Sequence, residues 1–412
     1  MRSDLPGFHD LSLDERLSLV KKLCVLTDEE AETLRKTGCL PHSDRMIENV
    51  VGTIELPLGI ATNFMINGHD VLVPMAIEEP SVVAAASHAA KLARPDGFVA
   101  SSDEPVMIGQ IQLIGAKPGA SEKIYENRDK ITEIAHAKDS VLVKLGGGLK
   151  DIEVRELDTE RGKMVIVHLL VNVQDAMGAN AVNTMCEEVA PFIEEITGGR
   201  ALLKIISNLA VHRMTRAKAV WKKDVLGEDV IEGILDAYAF ARADPFRSAT
   251  HNKGIMNGVD AVLVATGNDF RAAEAGAHAF AAIGGYKPLT SYWKNGTGDL
   301  AGSIELPMVA GIVGGATKSN PIAKISLKIL GAKHAHDLSE VAACVGLANN
   351  FAALRAMVKE GIQKGHMKLH MHNIALIAGA THEEALKITD IMLSEKKISV
   401  ARAAELLEIM RK

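Results

Sequence analysis

The chain has 412 residues, 46 basic side chains against 52 acidic ones, a formal net charge of −6 and 47% hydrophobic residues. That is enough for two or three domains with ample core, and the charge balance leaves no electrostatic footprint for nucleic acid or an anionic membrane. The four cysteines, Cys24, Cys39, Cys186 and Cys344, form no CxxC pair, which sets aside a disulfide framework and a zinc ribbon. The opening MRSDLPGFHD lacks the basic-then-apolar pattern of a signal peptide. No apolar run is read as approaching the ~18 residues of a membrane span, so a cytoplasmic, reducing setting is expected.

In chain order, 11–36 reads as two short helices, with Thr27 and Glu30 placed as a capping box for the second. Segments 48–57 (ENVVGTIELP) and 70–77 (DVLVPMAI) read as apolar strands. Pro80 is set at the first position of a helix that SVVAAASHAAKLA (81–93) continues. Residues 107–115 alternate like a strand, and 121–145 carry one long helical pattern ending at Gly146-Gly147-Gly148. Segments 151–157 and 164–173 read as strands joined by a turn at Glu160-Arg161-Gly162. A helix over 178–197 stops at Gly198-Gly199, and a strand follows over 201–207. The order β-α-β-β-α-β is that of a split βαβ, ferredoxin-like unit, bounding a small domain at about 104–207.

Helices dominate from there: 232–243, 269–283, 320–330 and 339–361. Segments 287–293 and 299–307 form a hairpin around Asn295-Gly296, and 362–412 is a helical C-terminal lobe. The fold class is α+β, one large domain interrupted by the small one. Aromatics are only 4% and glycines number 35, a composition suited to tight helix contacts and backbone-lined sites.

No GxGxxG follows a strand and no GxxxxGK[ST] occurs, so Rossmann and P-loop readings lack support. Three glycine-rich stretches, 146–149, 175–180 (DAMGAN) and 311–317 (GIVGGAT), can offer backbone N–H groups to a phosphate or can be plain turns. Asp175 reads equally as a helix N-cap. Glu78 and Glu79 put two carboxylates before a helix, as acid–base candidates or as dipole complements. Lys253 stands in an otherwise uncharged run, SATHNKGIMNG (248–258). It is read as a loop lysine or as a partly buried one with a partner. Asp269 opens a helix and is chiefly an N-cap reading. His366 and His370 share a helix face at zinc-ligand spacing, yet no HExxH base or acidic third ligand accompanies them, so no metal is assigned.

Seven segments in order, ENVVGT (48–53), EEPSVVAAAS (78–87), DAMGAN (175–180), ATHNKGIMNG (249–258), GNDFRAAEAGAHA (267–279), GIVGGATK (311–318) and GHMKLHMHNIA (365–375), resemble 3-hydroxy-3-methylglutaryl-coenzyme A (HMG-CoA) reductases. The likeness is to the class II enzymes of bacteria and archaea. The resemblance implies interconversion of HMG-CoA with mevalonate and coenzyme A by two hydride transfers with NAD(P)H, without metal or flavin. It implies Lys253 as oxyanion partner, Glu79 as proton donor, Asp269 as charge-balancing neighbour and His370 as the acid for the coenzyme A thiolate. His372 is a rival to His370. Ser81, Asn208, Arg247 and Asn257 match positions that hold the hydroxymethylglutaryl group, with Arg247 as carboxylate clamp.

Asp175, Met177, Gly178 and Asn180 match the dinucleotide segment. Asp139 matches the acidic residue of NAD-preferring members, whose carboxylate accepts from a ribose 2′-OH and repels a 2′-phosphate. NAD is favoured and NADP remains open, with Lys138 beside Asp139 able to blunt its charge. The implied domains are a large substrate and dimerisation domain (1–103 and 208–366), a small dinucleotide domain (104–207) and a C-terminal flap (367–412). A homodimer or assembly of dimers with shared active sites is expected. The chemistry run in reverse as a catabolic enzyme, a non-catalytic acyl-CoA or dinucleotide-binding relative, and a zinc hydrolase on His366 and His370 are the rival readings.

Overall fold

The computed structural model describes residues 11–24, 27–28, 32, 43–315, 317, 320–359, 371–372, 374–395 and 397–411. It divides into two units, Met1–Pro57 and Leu58–Lys412. In the first, helix α1 (Leu13–Cys24) is opened by a capping box at Ser12 and Glu15: Ser12 N donates to Glu15 Oε2 at 2.8 Å, and Glu15 N donates to Ser12 Oγ at 3.4 Å. The box expected at Thr27 and Glu30 lies partly outside the described residues. The strand expected over 48–57 is not formed. Gly52 and Pro57 interrupt the run, and Ile54 is 93% exposed, so no ladder or core holds it extended.

The second unit begins with β1 (Leu58–Ile66), β2 (His69–Ala76), α2 (Val82–Leu92) and β3 (Phe98–Ser102). Next come β4 (Val106–Ile114), α3 (Ala120–Glu126), α4 (Arg128–Lys138), α5 (Ser140–Lys144), β5 (Gly148–Thr159), β6 (Gly162–Asn172), α6 (Ala179–Thr197) and β7 (Arg200–Ser207). Then follow β8 (Met214–Trp221), α7 (Lys223–Leu226), α8 (Glu228–Ala243), α9 (Pro245–Ala265), α10 (Phe270–Ala282), β9 (Thr290–Lys294) and β10 (Leu300–Pro307). The last are α11 (Pro321–Leu330), α12 (Ala335–Lys359), α13 (His382–Glu395) and α14 (Val400–Arg411).

Strands from both sides of the β4–β7 block share one six-stranded sheet, ordered β2-β1-β3-β8-β10-β9. The block itself is a four-stranded antiparallel sheet ordered β5-β6-β4-β7. Its first and third strands are central, as in a split βαβ unit. The large sheet's core stacks Trp221 on Phe351 with ring centroids 3.8 Å apart. The small sheet has a separate core, in which α6 lies so close on β4 that a Cβ at Gly109 would sit 2.4 Å from Cys186 Sγ.

Small residues bring α9 and α12 equally close. A Cβ on Gly258 would meet the Val345 carbonyl at 2.9 Å, and one on Gly346 would meet Val259 Cγ2 at 2.9 Å. That contact is one use of the small residues the composition supplies. Helix α12 also corrects the reading that no apolar run approaches a membrane span. It has the length and hydropathy of one, yet 67% of its most apolar window is buried inside the protein, as in a core helix.

Three further differences bear on the site. The single helix read over 121–145 is three helices, because Asn127 and Asp139 leave helical geometry and Asp139 instead caps α5 by accepting from Leu142 N at 2.9 Å. Helix α2 begins at Val82, not Pro80, because Ser81 between them is left-handed (φ 75°). Strands β1, β3 and β8 and helix α9 arise where the sequence reading assigns no element.

Candidate active site

Helix α9 is the spine of the site. Asp244 caps it, accepting from Phe246 N and Arg247 N at 3.3 Å each, and Pro245 starts it without an N–H to satisfy. Lys253 and Asn257 are one turn apart and share a face. Both reach the same oxygen of Glu79: Lys253 Nζ donates to Oε2 at 2.8 Å and Asn257 Nδ2 at 3.2 Å. Glu79 stands on the short connection from β2 to α2, with Ser81 in its left-handed turn two residues on. The expectation of a partly buried lysine is corrected: the Lys253 side chain is 61% exposed, with Glu79 at 35%. Its neighbours His251, Asn252, Ile255 and Met256 are buried, while Lys253 faces out with Ala249 and Thr250.

The underside of α9 is anchored by groups that the sequence reading passes over. His251 is buried and makes a 2.6 Å hydrogen bond through Nε2 to Thr290 Oγ1. Thr290 Oγ1 and Tyr292 Oη donate to Asn350 Oδ1 at 3.1 and 2.8 Å, and Asn350 Nδ2 returns to the His251 carbonyl at 3.2 Å. Burial first, and then the Arg247 charge, push the His251 pKa down to about 3, so the ring is neutral. Asn252 beside it donates to Lys287 O at 2.9 Å and accepts from Leu289 N at 3.0 Å. The signal was present, since HisAsn immediately precedes Lys253 in ATHNKG, but polar residues in an uncharged run resemble a loop.

Arg247 is half-buried, and burial lowers its pKa. Among the described residues its guanidinium has no carboxylate partner and approaches only Met357 Sδ, at 3.8 Å. A partly desolvated, uncountered guanidinium suits an incoming carboxylate. Asn208 follows β7, and its main chain lies against α10: a Cβ on Gly276 would fall 2.4 Å from the Asn208 carbonyl. Asp269 caps α10, accepting from Ala272 N at 3.1 Å, and lies 3.3 Å from Arg271. The structure gives it no hydrogen bond to Lys253 or Glu79. His370, like His366, lies outside the described residues; His372 is described and partly buried.

A second cluster surrounds a cavity of about 870 Å³ lined by Asp139, Asp175, Ala176, Arg213, His334 and Glu340 among others. Asp175 does not cap the helix that follows it; Gly178 takes that position. Instead its Oδ1 accepts from Ala335 N, the first residue of α12, at 2.7 Å, and Oδ2 lies 3.3 Å from His334 Nδ1. The Asp175 carbonyl accepts from Ile312 N at 2.9 Å. Buried Arg213 ties the same loop down, donating to the carbonyls of Ala176 and Met177 at 3.2 Å each and to that of Ala310. A Cβ on Gly311 would clash with Met177 N at 2.4 Å, so DAMGAN and GIVGG run in backbone contact.

Gly178 has φ 109°, and a Cβ there would stand 2.7 Å from Val173. No side chain caps α6; Met177 stands just before it, and Asn180 on its first turn is exposed. An uncapped N-terminus of a 19-residue helix has the character of an anion site; the preceding Asp175 and Ala176 line the cavity, whereas Met177, Gly178 and Asn180 are not among its lining residues.

The hydroxymethylglutaryl-coenzyme A reductase family model matches residues 12–371. The 3-hydroxy-3-methylglutaryl-coenzyme A reductase of Archaeoglobus fulgidus is 60% identical over 416 aligned residues, covering 100% of this chain and 95% of that protein. A protein named a probable reductase of the same kind in Borreliella burgdorferi is 37% identical, covering 80% of this chain and 77% of its own. Among solved structures, the class II enzyme of Streptococcus pneumoniae bound to NADPH in open conformations aligns with a TM-score of 0.76 and 40% identity, over 98% of this chain and 100% of that one. The protein is thus an oxidoreductase. It belongs to the hydroxymethylglutaryl-coenzyme A reductase family, among the class II enzymes of bacteria and archaea.

Proposed function

We propose that the enzyme interconverts HMG-CoA and mevalonate plus free coenzyme A through mevaldyl-CoA and mevaldehyde, consuming two hydrides and two protons in the reductive direction. The observation that carries this reading is the Lys253–Glu79 pair at 2.8 Å, on the helix that also presents the uncountered Arg247. A nicotinamide dinucleotide, when bound, supplies the hydride. Lys253 polarises the thioester and then the aldehyde carbonyl, stabilising the oxyanion that each reduction develops. Glu79, sharing a hydrogen bond with the ammonium, delivers the proton to that oxygen. Asp269 sets the charge of this neighbourhood from the N-terminus of α10. His370 protonates the departing thiolate. Arg247 clamps the substrate carboxylate, and Ser81, Asn208 and Asn257 hold its hydroxyl and carbonyl groups.

Asp139, Asp175, Met177, Gly178 and Asn180 hold the dinucleotide, with NAD preferred over NADP. The neighbour solved with NADPH supports the nicotinamide class. The NAD preference rests on Asp139 at the cavity edge, and Lys138 does not neutralise it because its ammonium is paired with Glu188 at 2.5 Å. The working assembly is a dimer or a set of dimers, with residues 367–412 as a flap over a shared site.

The test follows nicotinamide absorbance when mevalonate, coenzyme A and either NAD or NADP are added, with Lys253→Ala as control. Reduction that needs both mevalonate and coenzyme A, runs faster with NAD and vanishes in the variant is the expected result. No signal here, nor in reverse with HMG-CoA and reduced nucleotide, overturns the reading.

A further inference from the structure

Two neighbouring amides on α12, which the chemistry above does not use, reach both walls of the Lys253–Glu79 site. Successive side chains on a helix diverge by about 100°, so Asn349 and Asn350 meet different partners. Asn349 Nδ2 donates to the carbonyl of Val82 at 3.3 Å, at the start of α2 and three residues beyond Glu79. Asn350 Nδ2 donates to the carbonyl of His251 at 3.2 Å, on α9 and two residues before Lys253. Both side chains belong to buried residues.

The Asn350 contacts close into a ring. Thr290 Oγ1 spends its hydrogen on Asn350 Oδ1, so at 2.6 Å from His251 Nε2 it must accept from that nitrogen. The series from the His251 ring through Thr290 and Asn350 to the His251 carbonyl returns to the residue it left, and ties α9 to β9 and α12 at once. Asn349 adds little stability of its own. The Val82 carbonyl already faces the N–H four residues on in α2, and Asn349 Oδ1 is buried with no hydrogen-bond partner among the described residues. That oxygen lies 3.1 Å from where a Cβ on Gly258 would stand, one residue past Asn257. A leucine of similar shape would relieve the bare oxygen, so what the amide holds in place explains it better than stability does.

We infer that Asn349 and Asn350 are positioning residues: they fix the start of the helix that follows Glu79 and the helix that bears Lys253 on one support, α12, and so hold the two groups at their 2.8 Å contact. This rests on the roles proposed above for Lys253 and Glu79. Both amides are uncharged, so they set distance without adding charge beside the pair. Misplacing reacting groups lowers turnover more than ground-state affinity.

The experiment pairs steady-state kinetics, with HMG-CoA and NADH, with urea unfolding on the full chain. Asn349→Leu is expected to lower kcat about tenfold or more, with KM for HMG-CoA within about threefold and an unfolding midpoint no lower than that of wild type. An amide with only a structural role would not separate rate from stability in this way. Asn349→Gln, which keeps the donor, is expected to restore kcat to within about threefold of wild type. Asn350→Leu strands the Thr290 and Tyr292 hydroxyls and is expected to lower kcat and the midpoint together. Should Asn349→Leu not fold, Asn349→Ala takes its place, read by kcat against KM and by the Gln rescue. Retention of kcat in either leucine variant, a loss that sits in KM, or a Gln variant as slow as the Leu one overturns the inference. A folded wild type with no reductase activity instead sinks the functional reading, so the two failures are distinguishable.

Discussion

At the Lys253 centre the ammonium is 61% exposed and its position rests on one carboxylate and on the helix beneath it. At the Asp175 clasp both carboxylate oxygens and the main-chain carbonyl are engaged, and buried Arg213 holds the next two carbonyls. The difference fits the roles proposed for the two regions. A group that stabilises developing charge has to present that charge to an incoming molecule, so it cannot be used up in structural bonds. A loop that shapes a dinucleotide pocket needs a fixed backbone, and side-chain-to-backbone bonds supply it. Damage to the first region should cost rate and spare stability; damage to the second should cost both.

The largest expected effect is on rate alone. Lys253→Ala should lower kcat by about 10²–10³-fold or more, the usual loss for an oxyanion donor. Its thermal midpoint should stay within a few degrees of wild type, as an exposed ion pair contributes little. A large drop in midpoint would erase the contrast. Arg213→Met is the converse. It strands three carbonyls, two of them at 3.2 Å from the guanidinium, and at about 1–3 kcal/mol per unsatisfied buried group it should cost on the order of 3 kcal/mol or more. Urea unfolding reads the loss, and the dinucleotide KM should rise with it.

Acid sharpens the comparison from beneath α9. His251 is neutral in the fold, with its pKa held at about 3 by burial and then by Arg247, while an unfolded histidine titrates near 6.5. The unfolded state therefore binds a proton that the folded state refuses. The resulting stability is fully present above about 6.5 and falls as pH drops toward 3, by about 1.4 kcal/mol per unit. His251→Gln should flatten that slope in urea midpoints measured between pH 7 and 5.

Much of the small sheet was legible in the sequence because alternation and terminal glycines mark β4, β6, α6 and β7 directly. The helix that carries Lys253 was not. In α9 the apolar positions do not form one stripe, two glycines and His-Asn interrupt the helix formers, and the surroundings bury it on several sides. The readable cue was at its start, where AspPro gives a cap and a first-turn proline. The Glu79–Lys253 contact spans 174 positions and leaves no periodic trace, so the residues alone offered Glu79 and Lys253 as separate candidates and only the resemblance joined them in one site. The roles of Asp175 and Arg213 were hidden for the same reason: their partners are backbone atoms of distant segments, which no side-chain pattern encodes.

The smallest effect tests the edge between the two regions. Asp139 caps α5 through Leu142 N and also lines the cavity, so the proposed specificity role of its carboxylate has to be separated from its role in the fold. Asp139→Asn keeps the cap, since Asn accepts the same N–H about as well, and removes the charge. The NAD-to-NADP ratio of kcat/KM should then fall by about three- to tenfold, with the gain on the NADP side and little change in stability. Asp139→Ala should add a loss of about 1 kcal/mol from the missing cap. If Asn leaves the ratio unchanged while Ala alone lowers stability, Asp139 is a structural cap and does not set the choice between NAD and NADP.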